Sequence, residues 1–292
     1  MRIIIFSFMQ RILITGANGQ LAREYQQYLY NYNYLKLDVL ALDRGSLDIT
    51  SLGKVNEVFD SYRPDIVINC AAYNLVDKAE VDTEEAFNVN AKGVKNLAIS
   101  SKKYNSLIVH YSTDYVFDGS KESPYLEADE PNPINKYGET KLLGERLLIE
   151  ETENYLIFRV SWVFGLGRQN FLYKISEWAR ERDVLKIVCD QVSIPTYTED
   201  IVKVSMLAIN KGLRGLFHLT NSGYASRYEV SKYFLEKRGL NIMIIPVSSE
   251  YFPTPAKRPY FSVMSNSRIS NILDIKIPDW REGIERFIKR IP

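Results

Sequence analysis

Tyr137 and Lys141 stand four residues apart in the run Tyr137-Gly138-Glu139-Thr140-Lys141. A helix places positions i and i+4 on one face, so a phenol and an ammonium can sit side by side. A free phenol has a pKa of about 10 and is a poor base near neutrality. A neighbouring cation lowers that pKa, and a tyrosine so placed can give or take a proton at a carbonyl or hydroxyl. The chain contains 20 tyrosines, so the pair alone equally fits a chance spacing on a solvated helix. Its context adds weight. Tyr111-Ser112-Thr113-Asp114-Tyr115 ends an apolar run, where a hydroxyl can hold a carbonyl oxygen or simply cap a strand end.

A second cluster precedes it. Gly16-Ala17-Asn18-Gly19-Gln20-Leu21-Ala22 follows the strand-like Ile12–Thr15 and opens a helix-like stretch, Gly19 to about Tyr30. A Gly-rich turn in that position lets backbone approach a pyrophosphate, and the helix start offers unpaired N–H groups and a positive dipole end. Ala22 keeps the small third residue that helix–strand packing needs. The ribose partner is expected at the end of the second strand, where Asp43 is followed by Arg44. Asp suits free ribose hydroxyls and Arg suits a 2′-phosphate, so NAD and NADP both stay open. Arg44 reads equally as a solvated surface charge.

The elements that must position these groups alternate along the chain. Strands are predicted at 12–15, 35–42, 65–69, 107–111 and 155–160. Helices are predicted at 51–62, 83–104 and 135–150, then at 171–182, 199–211, 227–237 and 279–289. Residues 124–133 read as a Pro-rich loop, and the tyrosines at 28, 30, 32 and 34 as a helix end and loop. Alternating strands and helices imply an α/β fold with a parallel sheet covered on both faces. Ligands of such sheets bind beyond the carboxyl ends of the strands, which brings Thr113 and Asp114 to the crevice of the Gly-rich loop. Met9 stands directly before the first strand, so residues 1–8 are expected to be an extension outside the functional core.

Composition narrows the chemistry. The 292 residues carry 37 Lys+Arg against 36 Asp+Glu, a balance that gives no reason to expect nucleic acid or an anionic membrane as partner. Two His and two Cys fit no zinc spacing and no disulfide framework, which favours a reducing, cytoplasmic setting. The apolar run Ile3–Phe8 is too short to span a bilayer and lacks a signal-peptide pattern, which argues against export.

The Gly-rich loop, the Ser112-Thr113-Asp114 strand end and the Tyr137/Lys141 helix together resemble the extended short-chain dehydrogenase/reductase superfamily. Within it the chain resembles the dTDP-4-dehydrorhamnose reductase family. The match includes Cys70-Ala71-Ala72-Tyr73, Val76-Asp77-Lys78-Ala79-Glu80 and Asn88-Val89-Asn90. It continues through Ser112 to Gly119, Arg159 to Gly165, Asp190-Gln191 with Pro195-Thr196, and Arg258-Pro259. The resemblance implies a Rossmann-type doubly wound parallel sheet with a smaller C-terminal substrate-binding α/β domain. Residues 1–160, with a return segment at about 196–220, would bind NAD(P), and residues 161–292 would be the interleaved substrate domain.

The resemblance also implies the reaction: hydride from NADPH or NADH to C4 of a 4-keto-6-deoxy sugar joined to dTDP. Tyr137 would supply the proton, Lys141 would hold the nicotinamide ribose and lower the Tyr137 pKa, and Thr113 would bond the keto oxygen. Cofactor contacts would come from Gly16, Asn18, Gly19, Gln20, Leu21, Asp43, Arg44, Asp48, Ile49, Ala71, Ala72, Tyr73 and Asn90, besides Tyr137 and Lys141. Asp114 and Trp162 would line the sugar pocket, and Arg258 would grip the diphosphate. Core packing is the competing account of Trp162, and a surface charge that of Arg258. Some members bind magnesium at a dimer interface; the matching positions are Glu24 and Glu199, where a solvated helix glutamate is the default. Two alternatives share these motifs: another nucleotide-sugar epimerase or reductase, and a non-catalytic regulatory subunit like that of methionine adenosyltransferase.

Overall fold

The computed structural model describes residues 10–31 and 37–291. The expected extension at 1–8, Met9, Tyr32, Tyr34 and the first residues of the second predicted strand lie outside the described residues. In chain order, β1 (Gln10–Thr15), α1 (Gln20–Asn31), β2 (Leu37–Leu42), α2 (Leu52–Tyr62) and β3 (Ile66–Asn69) come first. Then follow α3 (Val76–Ala79), α4 (Thr83–Phe87), α5 (Gly93–Tyr104), β4 (Leu107–Thr113), α6 (Lys136–Glu151) and β5 (Tyr155–Val160). The second half holds β6 (Val163–Phe164), α7 (Phe171–Glu181), β7 (Val184–Val188), β8 (Val192–Ser193), β9 (Thr196–Tyr197) and α8 (Thr198–Asn210). It closes with β10 (Gly215–His218), β11 (Ala225–Ser226), α9 (Arg227–Lys237), β12 (Met243–Val247), α10 (Ser267–Leu273) and α11 (Trp280–Ile288).

Six strands form one parallel sheet in the order β10-β5-β4-β3-β1-β2. Every residue of β3 and β4 is buried, and each strand opens with an apolar run, Ile66-Val67-Ile68 and Leu107-Ile108-Val109. Alternate side chains feed two cores. Ile12 and Ile14 pack with Tyr25, Val202 and Phe217 on one face, and Leu13 packs with Val55, Phe59 and Leu97 on the other. From β1 the chain crosses to β2 on one side and then returns to β3 on the other. That reversal opens a crevice at the carboxyl ends of β1 and β3. A third core of Phe164, Leu172, Ile187, Phe234, Trp280 and Phe287 lies among α7, β7, α9 and α11. Among the described residues no helix is long and apolar enough to cross a membrane.

The predicted single helix over 83–104 is interrupted. Residues Asn88–Lys92 form a π-turn between α4 and α5. Amphipathic spacing could not reveal it, because the cause is a tertiary bond set. The buried Asn90 accepts from the Tyr73 N–H at 2.9 Å and donates to the Tyr73 carbonyl at 3.1 Å and the Thr140 hydroxyl at 3.2 Å. π-Turns recur at functional sites. This one fastens the loop after β3 to helix α6. That helix starts at Asn135, whose side chain caps the Gly138 N–H at 2.8 Å. Gly138 is required there: a Cβ would lie 2.2 Å from the Tyr115 carbonyl oxygen, so only glycine lets the helix rest on the strand end.

Candidate active site

The crevice at the β1/β3 edge encloses about 360 Å³. Gly16, Asn18, Gly19, Asp43, Arg44, Asp48, Ile49, Ala71, Ala72 and Tyr73 line it, as the sequence suggests. Gly16 turns with φ +66°, and a Cβ there would lie 2.8 Å from the Ala71 N–H, so the loop is closed onto the residue after β3. Asp43 accepts from Asn18 Nδ2 and from the Ser46 N–H and hydroxyl, each at 3.0 Å. These bonds, the Ser46 backbone first, hold its carboxyl below the usual range, as a charged rim. Arg44 is 72% exposed and pairs with Glu85 at 3.1 Å, a surface contact that constrains it little. A dinucleotide fits these residues: a glycine turn, an open helix start and a fixed acidic rim.

Two residues expected to contact the cofactor do not line the crevice. The Gln20 side chain turns away to donate to the Val163 carbonyl at 3.0 Å, and Leu21 packs into the core. Both stand in the first turn of α1, whose N–H groups lack helical partners, so what they offer a ligand is backbone. Asn90 lies outside the crevice wall and acts through Tyr73. Leu47, Cys70, Asn74, Val89 and Gln169 also line the crevice and were not anticipated. Asn74 directly follows the Ala71-Ala72-Tyr73 motif, a usable signal, whereas Gln169 carries none.

Tyr137, like Thr113 and Lys141, is outside the crevice wall, and it touches that wall at Asn74. Its half-buried phenol faces Asn74 Oδ1 at 3.5 Å, and its ring packs edge-on against Tyr115 with centroids 6.0 Å apart. Burial raises its pKa, and the nearby Thr113 hydroxyl opposes that rise more weakly. The expected lowering by Lys141 is not met in this geometry. Lys141 is 2% exposed and donates its ammonium to the Tyr111 carbonyl at 2.6 Å; His110 Nε2 stands 3.5 Å away and carries the ring proton. Burial pulls Lys141 down to about 8, and Glu145 partly restores it. Beneath it, Glu145 takes three bonds from Arg159, the shortest 2.7 Å, in a pair that is almost fully buried. His110 continues the network. Its Nδ1 accepts from Asn69 Nδ2 at 3.0 Å, and Asn69 Oδ1 accepts from the Thr15 hydroxyl at 2.6 Å. Burial, and then the Lys141 charge, keep His110 neutral.

Thr113 is 5% exposed; its hydroxyl accepts from the Tyr115 N–H at 3.1 Å and donates to Asp114 at 3.2 Å. Asp114, expected to line the sugar pocket, is 2% exposed in this structure. Its Oδ2 accepts from Ser193 at 2.9 Å and Ser262 at 2.6 Å, so the carboxyl ties the end of β4 to the C-terminal segments. Burial pushes its pKa up to about 6, opposed by those hydroxyls. Trp162 is half-buried with φ +38°, a strained value for a bulky residue, and the Arg227 guanidinium lies over its ring at 4.4 Å. Arg258 is not a free surface charge: it forms a bidentate pair with Asp77 at 2.7 and 3.0 Å.

Glu24 and Glu199 are brought together, yet neither is a solvated helix glutamate. Glu24 is 6% exposed and accepts from Arg290 at 2.9 Å, while Glu199 is paired with Lys203 and with Arg286 at 3.2 Å. Arg290 also lies 3.7 Å from Glu199. The guanidiniums already neutralise both carboxylates, so these residues do not fit a magnesium site within this chain. Among the described residues no group of three His, Cys, Asp or Glu side chains is placed to hold a metal ion.

Comparison with known proteins identifies the family and the fold. The family described as RmlD substrate binding domain matches residues 9–292. The chain is 37% identical over 289 residues to the dTDP-4-dehydrorhamnose reductase of Aggregatibacter actinomycetemcomitans, covering 95% of this chain and 98% of that one. A dTDP-4-dehydrorhamnose reductase structure from Clostridium acetobutylicum superposes with a TM-score of 0.93 at 39% identity, covering 96% of this chain and 99% of that one. The Bacillus anthracis dTDP-4-dehydrorhamnose reductase, solved in complex with NADP, also gives 0.93, at 35% identity, covering 97% of this chain and 100% of that one.

Proposed function

The chain belongs to the dTDP-4-dehydrorhamnose reductase family, and on that premise we propose that it reduces the C4 keto group of dTDP-4-dehydrorhamnose to give dTDP-L-rhamnose. One observation supports the reading on this chain's own atoms: the Tyr137 phenol, beside Thr113, donates to Asn74, a residue of the wall of the Gly-rich-loop crevice. When bound, the reduced nicotinamide of NADP(H) or NAD(H) supplies the hydride.

The chain supplies position, a proton and a field. Gly16, Gly19 and the first turn of α1 take the pyrophosphate, Asp43 takes a ribose, and Arg44 is at hand for a 2′-phosphate. Thr113 turns its single hydroxyl proton from Asp114 to the C4 oxygen, and Tyr137 delivers its proton there as negative charge develops. Burial of Tyr137 keeps the phenol protonated and so ready as an acid. Lys141 takes the nicotinamide ribose and places a buried positive charge behind the reacting oxygen. The Tyr111 carbonyl fixes it there. Trp162 gives the sugar a flat apolar face. Residues 1–160, with the return segment at about 196–220, serve the cofactor, and residues 161–292 serve the sugar nucleotide. Cys70 and Cys189, both free thiols, suit a reducing cytoplasm.

The test is oxidation of NADPH by purified protein given dTDP-4-dehydrorhamnose. Stoichiometric consumption supports the reductase, since an epimerase or a regulatory subunit consumes none. Tyr137→Phe should lower kcat by about 10²- to 10⁴-fold while NADPH binding is unchanged. Wild-type turnover in that variant would remove Tyr137 from the acid role.

A further inference from the structure

A run of buried polar groups leads from the crevice wall to Lys141. Asn69 closes β3, His110 stands beside it on β4, and Lys141 meets His110 from α6. None of the three is more than 2% exposed. The Ala71 N–H, in the crevice wall, donates to Asn69 Oδ1 at 3.2 Å, and the Thr15 hydroxyl donates to the same atom at 2.6 Å. A backbone N–H only donates, so the end of the Asn69 amide that faces it must be the oxygen. The amide's NH2 then faces His110 Nδ1 at 3.0 Å and makes that nitrogen the acceptor. A neutral imidazole whose Nδ1 accepts carries its proton on Nε2, and burial keeps His110 neutral. Nε2, with its proton, lies 3.5 Å from Lys141 Nζ.

That contact treats the two states of Lys141 differently. An ammonium has three donors and no acceptor, so the Nε2–H meets another donor, whereas the neutral amine offers it a lone pair. The other tautomer would give the ammonium an acceptor. It would also turn the Asn69 amide round and set its NH2 against the Ala71 N–H, leaving a donor without its partner. Two groups favour the charge. The Tyr111 carbonyl accepts from Nζ at 2.6 Å, and Glu145, one turn along α6, acts from a distance while paired with Arg159 of β5. The Cys70 thiol after β3 is kept protonated by burial, as is the Tyr137 phenol one turn before Lys141. Burial, with Glu145 opposing it, brings Lys141 to about 8, and the Nε2–H acts in the same direction as burial.

We propose that His110 is a positioning residue for Lys141: Asn69 sets its tautomer, and its Nε2–H keeps the Lys141 proton loosely held, so that the charge behind the reacting oxygen is gained and lost close to neutral pH. The assignment rests on the reductase reading for what that charge does in the reaction. The order of donors and acceptors from Ala71 to Lys141 stands without it.

The experiment has three readouts. NMR of the full chain labelled with [15N]histidine, saturated with NADPH at about pH 7, reads the tautomer; the chain has two histidines, and substitution of either one assigns both sets of signals. His110 should be neutral with its proton on Nε2. His110→Gln offers Nζ an amide oxygen in place of the N–H. The alkaline limb of kcat/KM, where activity falls as Lys141 loses its charge, should move up by about 1 to 2 pH units in this variant, as expected for a hydrogen bond gained by a charged group. A merely structural loss would lower activity at every pH and leave the limb in place. Urea unfolding reads the same titration without turnover. The change with pH in the stability gap between Lys141 and Lys141→Met should shrink to about half or less when His110→Gln is present in both. A proton on Nδ1, an imidazolium, or an unmoved limb with an unchanged gap overturns the His110 assignment and leaves the reductase reading intact. A wild type that oxidises no NADPH sinks the reductase reading alone, and the tautomer and the unfolding gap then decide His110. If His110→Gln does not fold, the wild-type tautomer decides.

Discussion

Lys141→Met should make the protein more stable at neutral pH while abolishing turnover, and the gain should disappear on alkalinisation. Lys141 is buried, and its pKa falls from the ordinary 10.5 to about 8, chiefly because burial disfavours the charged form. Below about pH 8 the folded protein must therefore keep an ammonium charged where the fold disfavours it. That costs about 3 kcal/mol relative to the unfolded chain. Between the two pKa values the unfolded state binds more protons than the folded one, so stability rises with pH across that window. A methionine has no such charge. Any pH-independent difference, including the lost bond to the Tyr111 carbonyl, cancels when one pair of variants is compared at two pH values. The stability gap between wild type and Lys141→Met should shift by about 2 kcal/mol in favour of wild type between pH 7 and pH 9.5. Urea unfolding followed by tryptophan fluorescence reads it as a shift in the difference of midpoints. An equal gap at both pH values would refute the claim that Lys141 is a strained cation. The fold would then be tolerating a charge it has fully compensated.

Two further outcomes follow from the polar network around the site. Asn90→Ala removes three hydrogen bonds and leaves the Tyr73 backbone groups without their partner, so stability should fall by about 1–3 kcal/mol. NADPH affinity should drop about tenfold, for one lost charge-free restraint on the crevice wall; thermal unfolding with calorimetric titration checks both, and unaltered NADPH affinity would mean that the π-turn does not order the site. Glu145→Gln leaves Arg159 buried and uncompensated, which costs about 3–5 kcal/mol, roughly a 10 °C fall in Tm; a Tm within 2 °C or so of wild type by calorimetry would show that water reaches the pair.

Much of the architecture was legible because it is periodic. Buried parallel strands announce themselves as apolar runs, and 155–160 and 227–237 match the structure residue for residue. The short α10 and the paired fragments β6, β8, β9 and β11 carry too few residues for any period to register. The site divides the same way. Residues supplied by one local turn, such as Gly16, Asn18, Asp43 and Ala71, were readable because backbone geometry confines them to the crevice. Residues whose state depends on a distant partner could not be read from the sequence. Asp114 is closed by Ser193 and Ser262, Arg258 by Asp77, and Glu24 by Arg290.

The sequence by itself determined the sheet and the Gly-rich turn, since short-range sterics set those, and it singled out Thr113, Tyr137 and Lys141 as candidates through side-chain chemistry. Only the tertiary structure decided which charges are still available. Lys141 is bonded to the Tyr111 carbonyl, Arg258 is locked to Asp77, and Arg227 has no carboxylate partner within the described residues. The reason is physical. A charge's state depends on burial and on partners within a few ångströms, and those partners lie 30 to 181 residues away along the chain.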